Sequence, residues 1–183
     1  MTKRSICVYC GSREGEKAAY KTAATALGAA LADEGWRLVY GAGDIGLMGA
    51  VARSAQNAGG ETFGVIPTHL LKKEVGKVDL TEFIVTENMH ERKKVMFMNA
   101  QAIIVLPGGA GSLDEFFEVL TWGQLELHSK PIVLLNVENY WAPLIALMDH
   151  IIAEGFADPS LKTLFTVCMS VDETADYLRG ALS

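Results

Sequence analysis

The run "AIIVLP", Ala102 to Pro107, is apolar at every position, and "GGAGS", Gly108 to Ser112, follows it directly. A strand with one face in water alternates apolar and polar residues, whereas a strand apolar throughout needs cover on both faces. "PIVLLNV", residues 131–137, has the same character. Amphipathic segments alternate with such runs along the whole chain. "SICVYCG" reads as a strand and "KAAYKTAATALGAALADEG" as an alanine-rich helix that stops at a glycine. "WRLVYGAG", a helix from about Leu47 to Ala58, and "ETFGVIP" come next. A polar, lysine-containing link of about fifteen residues leads to "FIVTEN", the helix "HERKKVMFMNAQ" and "AIIVLPGG". The rhythm closes with "LDEFFEVLTWGQLEL", "PIVLLNV", a helix from about Trp141 to Glu154, the short run "LFTVC" and a helix from about Val171 to Leu182. The alternation predicts an α/β fold: a doubly wound, mostly parallel sheet with helices on both faces, in one domain over residues 1–183. Ligands of such sheets bind where strand-to-helix loops gather at the carboxyl edge. Three of those loops are unusual, "CGSREG", "GAGDIG" and "PGGAGS".

The composition narrows the function. A chain of 183 residues with 50% hydrophobic content supports one large core. The net charge of -6 argues against a general nucleic-acid surface, which needs a basic face to displace counterions. The start "MTKRSICVYCGS" breaks at a glycine too early for a signal-peptide core, and no stretch reaches the roughly 18 apolar residues of a membrane span. A soluble, cytoplasmic protein without a nucleic-acid or membrane partner is the expectation. The three cysteines fit a reducing compartment, and Cys7 and Cys10, three apart along a strand, point to opposite faces as buried structural residues. His69, His90, His128 and His150 have no ligand spacing, so no metal is expected.

"GAGDIGLMGA", Gly41 to Ala50, matches G-x-G-x-x-G after the apolar "RLVY". A dinucleotide site also needs an acid at the end of the next strand to hold the ribose hydroxyls. That strand ends "GVIPTH", and its acid, Glu61, stands at the opposite end. A second glycine loop, "PGGAGS", follows another buried strand, and two such loops on one cleft suggest a compact nucleotide held at both ends. The alternative is that the glycines only permit tight turns and close helix packing. Backbone N–H groups of Gly109, Gly111 and Ser112 could wrap a phosphate at a helix start. Ser112 and Glu115 have the spacing of a capping box, with the serine as N-cap, although Glu115 also stands at the cleft mouth as a carboxylate available for chemistry. In "ENMHERKK", Asn88 can cap a helix with Glu91 as partner, which puts Arg92 and Lys93 near its positive end. Either their side chains reach solvent, or Arg92 holds a phosphate or a carboxylate with its planar fork and Lys93 adds a point charge.

These motifs resemble those of the LONELY GUY (LOG) family, the cytokinin riboside 5'-monophosphate phosphoribohydrolases. "PGGAGSLDE" is similar to the family's PGGxGTxxE signature and "GAGDIGLMGA" to its GGGxxGLMG segment, with "CVYCGS", "MHERK", "TWGQLELHSKPIVLLNV" and "EGFADP" in order around them. The resemblance implies a Rossmann-like, nucleotide-binding homodimer or higher oligomer. It would hydrolyse the N-glycosidic bond of a nucleoside monophosphate, AMP or N6-prenylated AMP, to a free base and ribose 5-phosphate. No cofactor is implied. Arg92 and Glu115 match the family's catalytic pair. Gly108, Gly109, Gly111 and Ser112 match its phosphate loop, and Gly43, Met89 and Lys93 fall among substrate-binding positions. Ala42 replaces the middle glycine of the family's triplet, Ser112 its threonine, and Ala110 a tyrosine of many plant members.

The chemistry agrees with the residues. Departure of a purine builds positive charge on C1', and an ionised carboxylate beside that carbon, for which Glu115 is the candidate, stabilises it and can activate water. Arg92 would orient that carboxylate or bind the phosphate. A nucleotide carrier or sensor without turnover is the alternative from another class. A third reading, lysine decarboxylation, would need a Schiff-base lysine for pyridoxal phosphate, and no lysine here has a context that suggests it.

Overall fold

A computed structural model describes residues 3–71 and 76–183. Seven strands, β1 (Ser5–Tyr9), β2 (Arg37–Tyr40), β3 (Thr62–Pro67), β4 (Glu82–Thr86), β5 (Ala102–Val105), β6 (Ile132–Leu135) and β7 (Thr166–Cys168), form one sheet in the order β4-β3-β2-β1-β5-β6-β7. Every pairing is parallel. Six helices cover it: α1 (Ala18–Asp33), α2 (Gly46–Asn57), α3 (Met89–Met98), α4 (Ala110–Gln124), α5 (Ala142–Ala153) and α6 (Val171–Ala181). The expected doubly wound fold is therefore present, and its sheet is parallel throughout.

The uninterrupted apolar strands have the cover they require. In β1, Ile6 and Val8 belong to a core layer with Leu27 and Leu31 of α1, Val51 of α2 and Leu178 of α6. Cys7 and Tyr9 face the other way, into a layer with Met96 of α3, Phe116 and Leu120 of α4, and Met148 of α5. Cys7 and Cys10 thus lie in opposite layers, both buried and unbridged. The edge strands break the pattern for a physical reason. β4 is largely exposed and β7 has only three residues, which limits the unpaired backbone offered to another chain.

The link between β3 and β4 was expected to be polar and irregular, and residues 72–75 in its middle lie outside the described residues. Gly76, just after them, forms an isolated antiparallel bridge with Gly43. Strand order reverses at β1, which has β2 on one side and β5 on the other. The helix that follows β1, α1, packs on one face, and the helix that follows its neighbour β5, α4, packs on the other. A crevice opens at such a reversal.

Candidate active site

The crevice is a cleft of about 570 Å³, within the range of small-molecule sites. Its walls come from three strand ends. The loop after β1 contributes Cys10 to Gly15, the loop after β5 contributes Pro107 to Ser112, and Gly41 with Leu47 and Met48 come from the segment after β2. The first two loops are stitched together by Gly11 N–H, which donates to Pro107 O at 3.0 Å. Gly108 is required at this junction. A Cβ there would lie 2.0 Å from Ser112 Oγ and 3.0 Å from the backbone nitrogen of Gly11.

Helix α4 starts earlier than its sequence spacing implies. Its N-cap is Gly109, with extended φ -96° and ψ -152°, so the predicted capping box with Ser112 as cap does not form. Ser112 is the third residue of the helix, buried against Gly108, and Glu115 is one turn in, half-buried on the cleft wall. The first intrahelical bond is Leu113 N–H to Gly109 O, 3.1 Å. The N–H groups of Gly109, Ala110, Gly111 and Ser112 therefore precede the helical ladder, at the positive end of the helix dipole. An anion is the natural occupant of that position.

Helix α3 supplies the cation. Asn88 Oδ1 caps it by accepting from Glu91 N–H at 3.0 Å, as the spacing predicts, while Glu91 Oε2 accepts from Glu87 N–H, one residue before the cap. Arg92, in the first turn, is 4% exposed and so does not reach solvent. Its Nη2 donates to Gly41 O at 2.7 Å and its Nε to Val65 O at 3.1 Å, which fixes the guanidinium plane over the ends of β2 and β3. Met89 and Arg92 line the cleft together with Glu115. Beneath them is Tyr9, whose phenol is pushed well above its ordinary range by burial and by the neighbouring Cys7 and Glu115.

Two expected site residues lie elsewhere. Lys93 is buried, and its Nζ donates at 2.9 Å to both Asp114 Oδ2 and Glu118 Oε2, bracing α3 against α4 outside the cleft. Burial alone would pull this ammonium down, but the carboxylates of Glu118 and Asp114 outweigh it and raise it. Gly43 is turned away to its bridge with Gly76, and Lys77 N–H donates to Ala42 O beside it at 2.8 Å. No lysine is found among the described residues that line the cleft, and no group of three metal-binding side chains gathers among the described residues.

A family model described as "Possible lysine decarboxylase" matches residues 48–178. The cytokinin riboside 5'-monophosphate phosphoribohydrolase of Rhodococcoides fascians is 42% identical over 180 residues, which cover 98% of this chain and 91% of that one. LOG1 of Arabidopsis thaliana, with the same activity in its name, is 42% identical over 175 residues, 96% of this chain and 82% of that one. The chain belongs to the LOG family. Among solved structures, the molybdenum cofactor carrier protein of Chlamydomonas reinhardtii superposes with a TM-score of 0.75 at 22% identity, covering 98% of each chain. At that identity the likeness concerns the fold alone.

Seen as a LOG-family site, the cleft holds Arg92, Glu115, Met89, Gly108, Gly109, Gly111 and Ser112, and omits Gly43 and Lys93. Of the three departures from the family pattern, Ala110 opens α4 on the cleft wall, and Ser112 keeps a hydroxyl there. Ala42 is fully buried at φ 56°, a left-handed conformation that glycine adopts at no cost. Sequence reasoning missed Tyr20 and Tyr140, which also line the cleft. "CGSREG" stands out in the sequence as an unusual loop, but nothing in its spacing points to Tyr20, which follows it in α1. The aromatic after "NVEN" had no signal of its own, because only the fold brings it beside Gly108.

Proposed function

We propose that residues 1–183 form a single nucleotide-binding domain that hydrolyses the N-glycosidic bond of a purine nucleoside 5'-monophosphate, AMP or N6-prenylated AMP, to free base and ribose 5-phosphate. The relatives are named for this hydrolysis on cytokinin riboside 5'-monophosphates, and with such a substrate the step would activate cytokinin by releasing the free base. The observation that carries the reading is the placement of a fixed guanidinium, Arg92, and a carboxylate, Glu115, on one cleft that ends at the amide-rich start of α4.

The steps follow from that placement. The 5'-phosphate takes the N–H groups of Gly109, Ala110, Gly111 and Ser112, which puts the ribose within reach of the first turn of α4. The C1'–N bond breaks, the base departs with the electron pair and takes a proton from solvent, and positive charge grows on the sugar. Glu115 stabilises that charge and receives a proton from the water that attacks C1'. Arg92, held by two backbone carbonyls, favours the ionised form of the nearby carboxylate. Gly43 and Lys93 take no direct part. Glu115→Gln is expected to lower base release by at least about 100-fold while AMP still binds. Unchanged release, or no release from any purine monophosphate by the unmodified protein, overturns the reading.

The same reading makes the protein a cytoplasmic homodimer or higher oligomer acting on a free nucleotide, without nucleic acid, membrane or cofactor. What supports assembly is an apolar surface: Met98, Leu125 and Leu127 are 66%, 62% and 68% exposed where the ends of α3 and α4 meet through Phe97 and Trp122. Sedimentation velocity tests it, and a monomer at micromolar concentration refutes it. No helix among the described residues is long and apolar enough to cross a membrane.

A further inference from the structure

Tyr140 lines the same cleft as the catalytic pair, and its hydroxyl donates to the carbonyl oxygen of Gly108 at 2.5 Å. The peptide from Gly108 to Gly109 is trans and planar, so its carbonyl and the N–H of Gly109 point in opposite directions. Fixing one therefore fixes the other. That N–H is the first of the four that open α4.

The surroundings of Tyr140 are built to hold it still. Two successive residues before it, Glu138 and Asn139, are left-handed at φ 53° and 57°, a conformation that costs free energy in a non-glycine residue. The strained turn is clamped on either side. Asn136 N–H donates to Cys168 O at 2.8 Å, and its Oδ1 accepts from Trp141 N–H at 2.7 Å. The buried indole of Trp141 donates to Val105 O at the end of β5. The Tyr140 ring meets Trp141 edge-on at 4.8 Å and Tyr20 edge-on at 5.5 Å. Tyr20 in turn abuts the loop after β1, because a Cβ on Gly15 would lie 2.7 Å from its ring. One line of contacts thus runs from the loop after β1 through Tyr20 and Tyr140 to the glycine loop after β5.

We propose that Tyr140 is a positioning residue for the phosphate cradle: its hydroxyl holds the Gly108 carbonyl and thereby sets the Gly109 N–H for the substrate's 5'-phosphate. The inference rests on the nucleotide reading given above. Glycine at 108 and 109 leaves this peptide freer to rotate than any other in the loop, so an external anchor has work to do there. The bond is to a peptide that touches phosphate and not to the sugar or base. Losing it weakens phosphate-dependent binding and leaves the bond-breaking step nearly as fast.

Tyr140→Phe keeps both ring contacts and removes only the hydroxyl. The expected result is a KM for AMP raised by about tenfold, as the loss of one anchoring hydrogen bond allows, with kcat within about twofold. The affinity for ribose 5-phosphate, measured by calorimetry, falls in parallel, and the affinity for adenosine, which has no phosphate, stays unchanged. The melting temperature of the variant identifies a folded protein. An equal loss for adenosine, a fall confined to kcat, or unchanged affinity for both phosphate ligands overturns the proposal. If the unmodified protein binds AMP but cleaves no nucleotide, the hydrolase reading fails and the calorimetric comparison still decides the role of Tyr140. No AMP binding at all overturns both.

Discussion

Replacing Gly41 with alanine should act on the cleft through Arg92 alone. The backbone of Gly41 is outside the left-handed region, so the added methyl brings no conformational penalty. It would, however, stand 2.0 Å from Arg92 Nη2 and 2.9 Å from Cζ. The guanidinium must withdraw by well over an ångström, which breaks its 2.7 Å bond to Gly41 O. A charge-assisted bond to a buried carbonyl is worth about 1.5–3 kcal/mol, so Gly41→Ala should cost about 2 kcal/mol of stability. In an Arg92→Ala background the obstacle is gone. The remaining neighbour, Met48 Sδ at 3.2 Å, is the flexible end of a side chain, and the same substitution should then cost below about 0.5 kcal/mol. The coupling between the two sites is therefore about 1.5 kcal/mol or more, read from urea unfolding of the four proteins at constant m-value. Gly41→Ala alone should also depress base release, because the displaced guanidinium no longer lies where Glu115 can use it. Equal costs of Gly41→Ala in both backgrounds would refute this account of how Arg92 is held.

Three other outcomes follow from particular groups. Burial, with Glu115 nearby, pushes the Cys7 thiol well above its ordinary 9.0, and burial likewise raises Tyr9 above 10.0. From about pH 9 upward the unfolded chain loses these protons before the folded one does, so stability is complete below that pH and declines above it. Cys7→Ala should flatten the first part of that decline, and a slope unchanged by the substitution would exclude Cys7 as its source. The Tyr40 hydroxyl is buried with no hydrogen-bond partner among the described residues, so Tyr40→Phe should raise unfolding stability by about 1 kcal/mol. Gly28, where α1 crosses α2, would place a Cβ 2.3 Å from Val51 O and 2.9 Å from Ala55 N. Because both are backbone atoms, Gly28→Ala should cost about 2–3 kcal/mol in thermal or urea unfolding.

The sheet was legible in the sequence because its cause is local. "AIIVLP" and "PIVLL" have no polar position, so two-faced cover is the only arrangement that buries them. Asn88 was legible for the same reason, since a cap and its partner lie within one turn. Ser112 misled because serine is the better cap by side chain, while the chain bends at Gly109, where a residue without a side chain leaves the first amides open. Lys93 misled because its partners, Asp114 and Glu118, are on another helix, and only tertiary packing brings them within 2.9 Å. The glycine motif after β2 also divided in space. Gly41 faces the cleft, and Gly43, two residues on, pairs with Gly76. Spacing reports which residues share a loop, not which side of it they face.

The reversal of strand order at β1 has a consequence for synthesis of the chain. The cleft needs the loop that leaves β1 and the loop that leaves β5, and the two strands pair between Ile6 and Ala102 at one end and Tyr9 and Val105 at the other. No nascent polypeptide that ends before Ser112 has a phosphate cradle, however well β1, β2 and β3 have already assembled. Closing so long a loop is slow compared with making local contacts. Nucleotide affinity therefore arises in one late event, and ligand added during refolding should leave every folding phase at its own rate and act afterwards, by slowing unfolding.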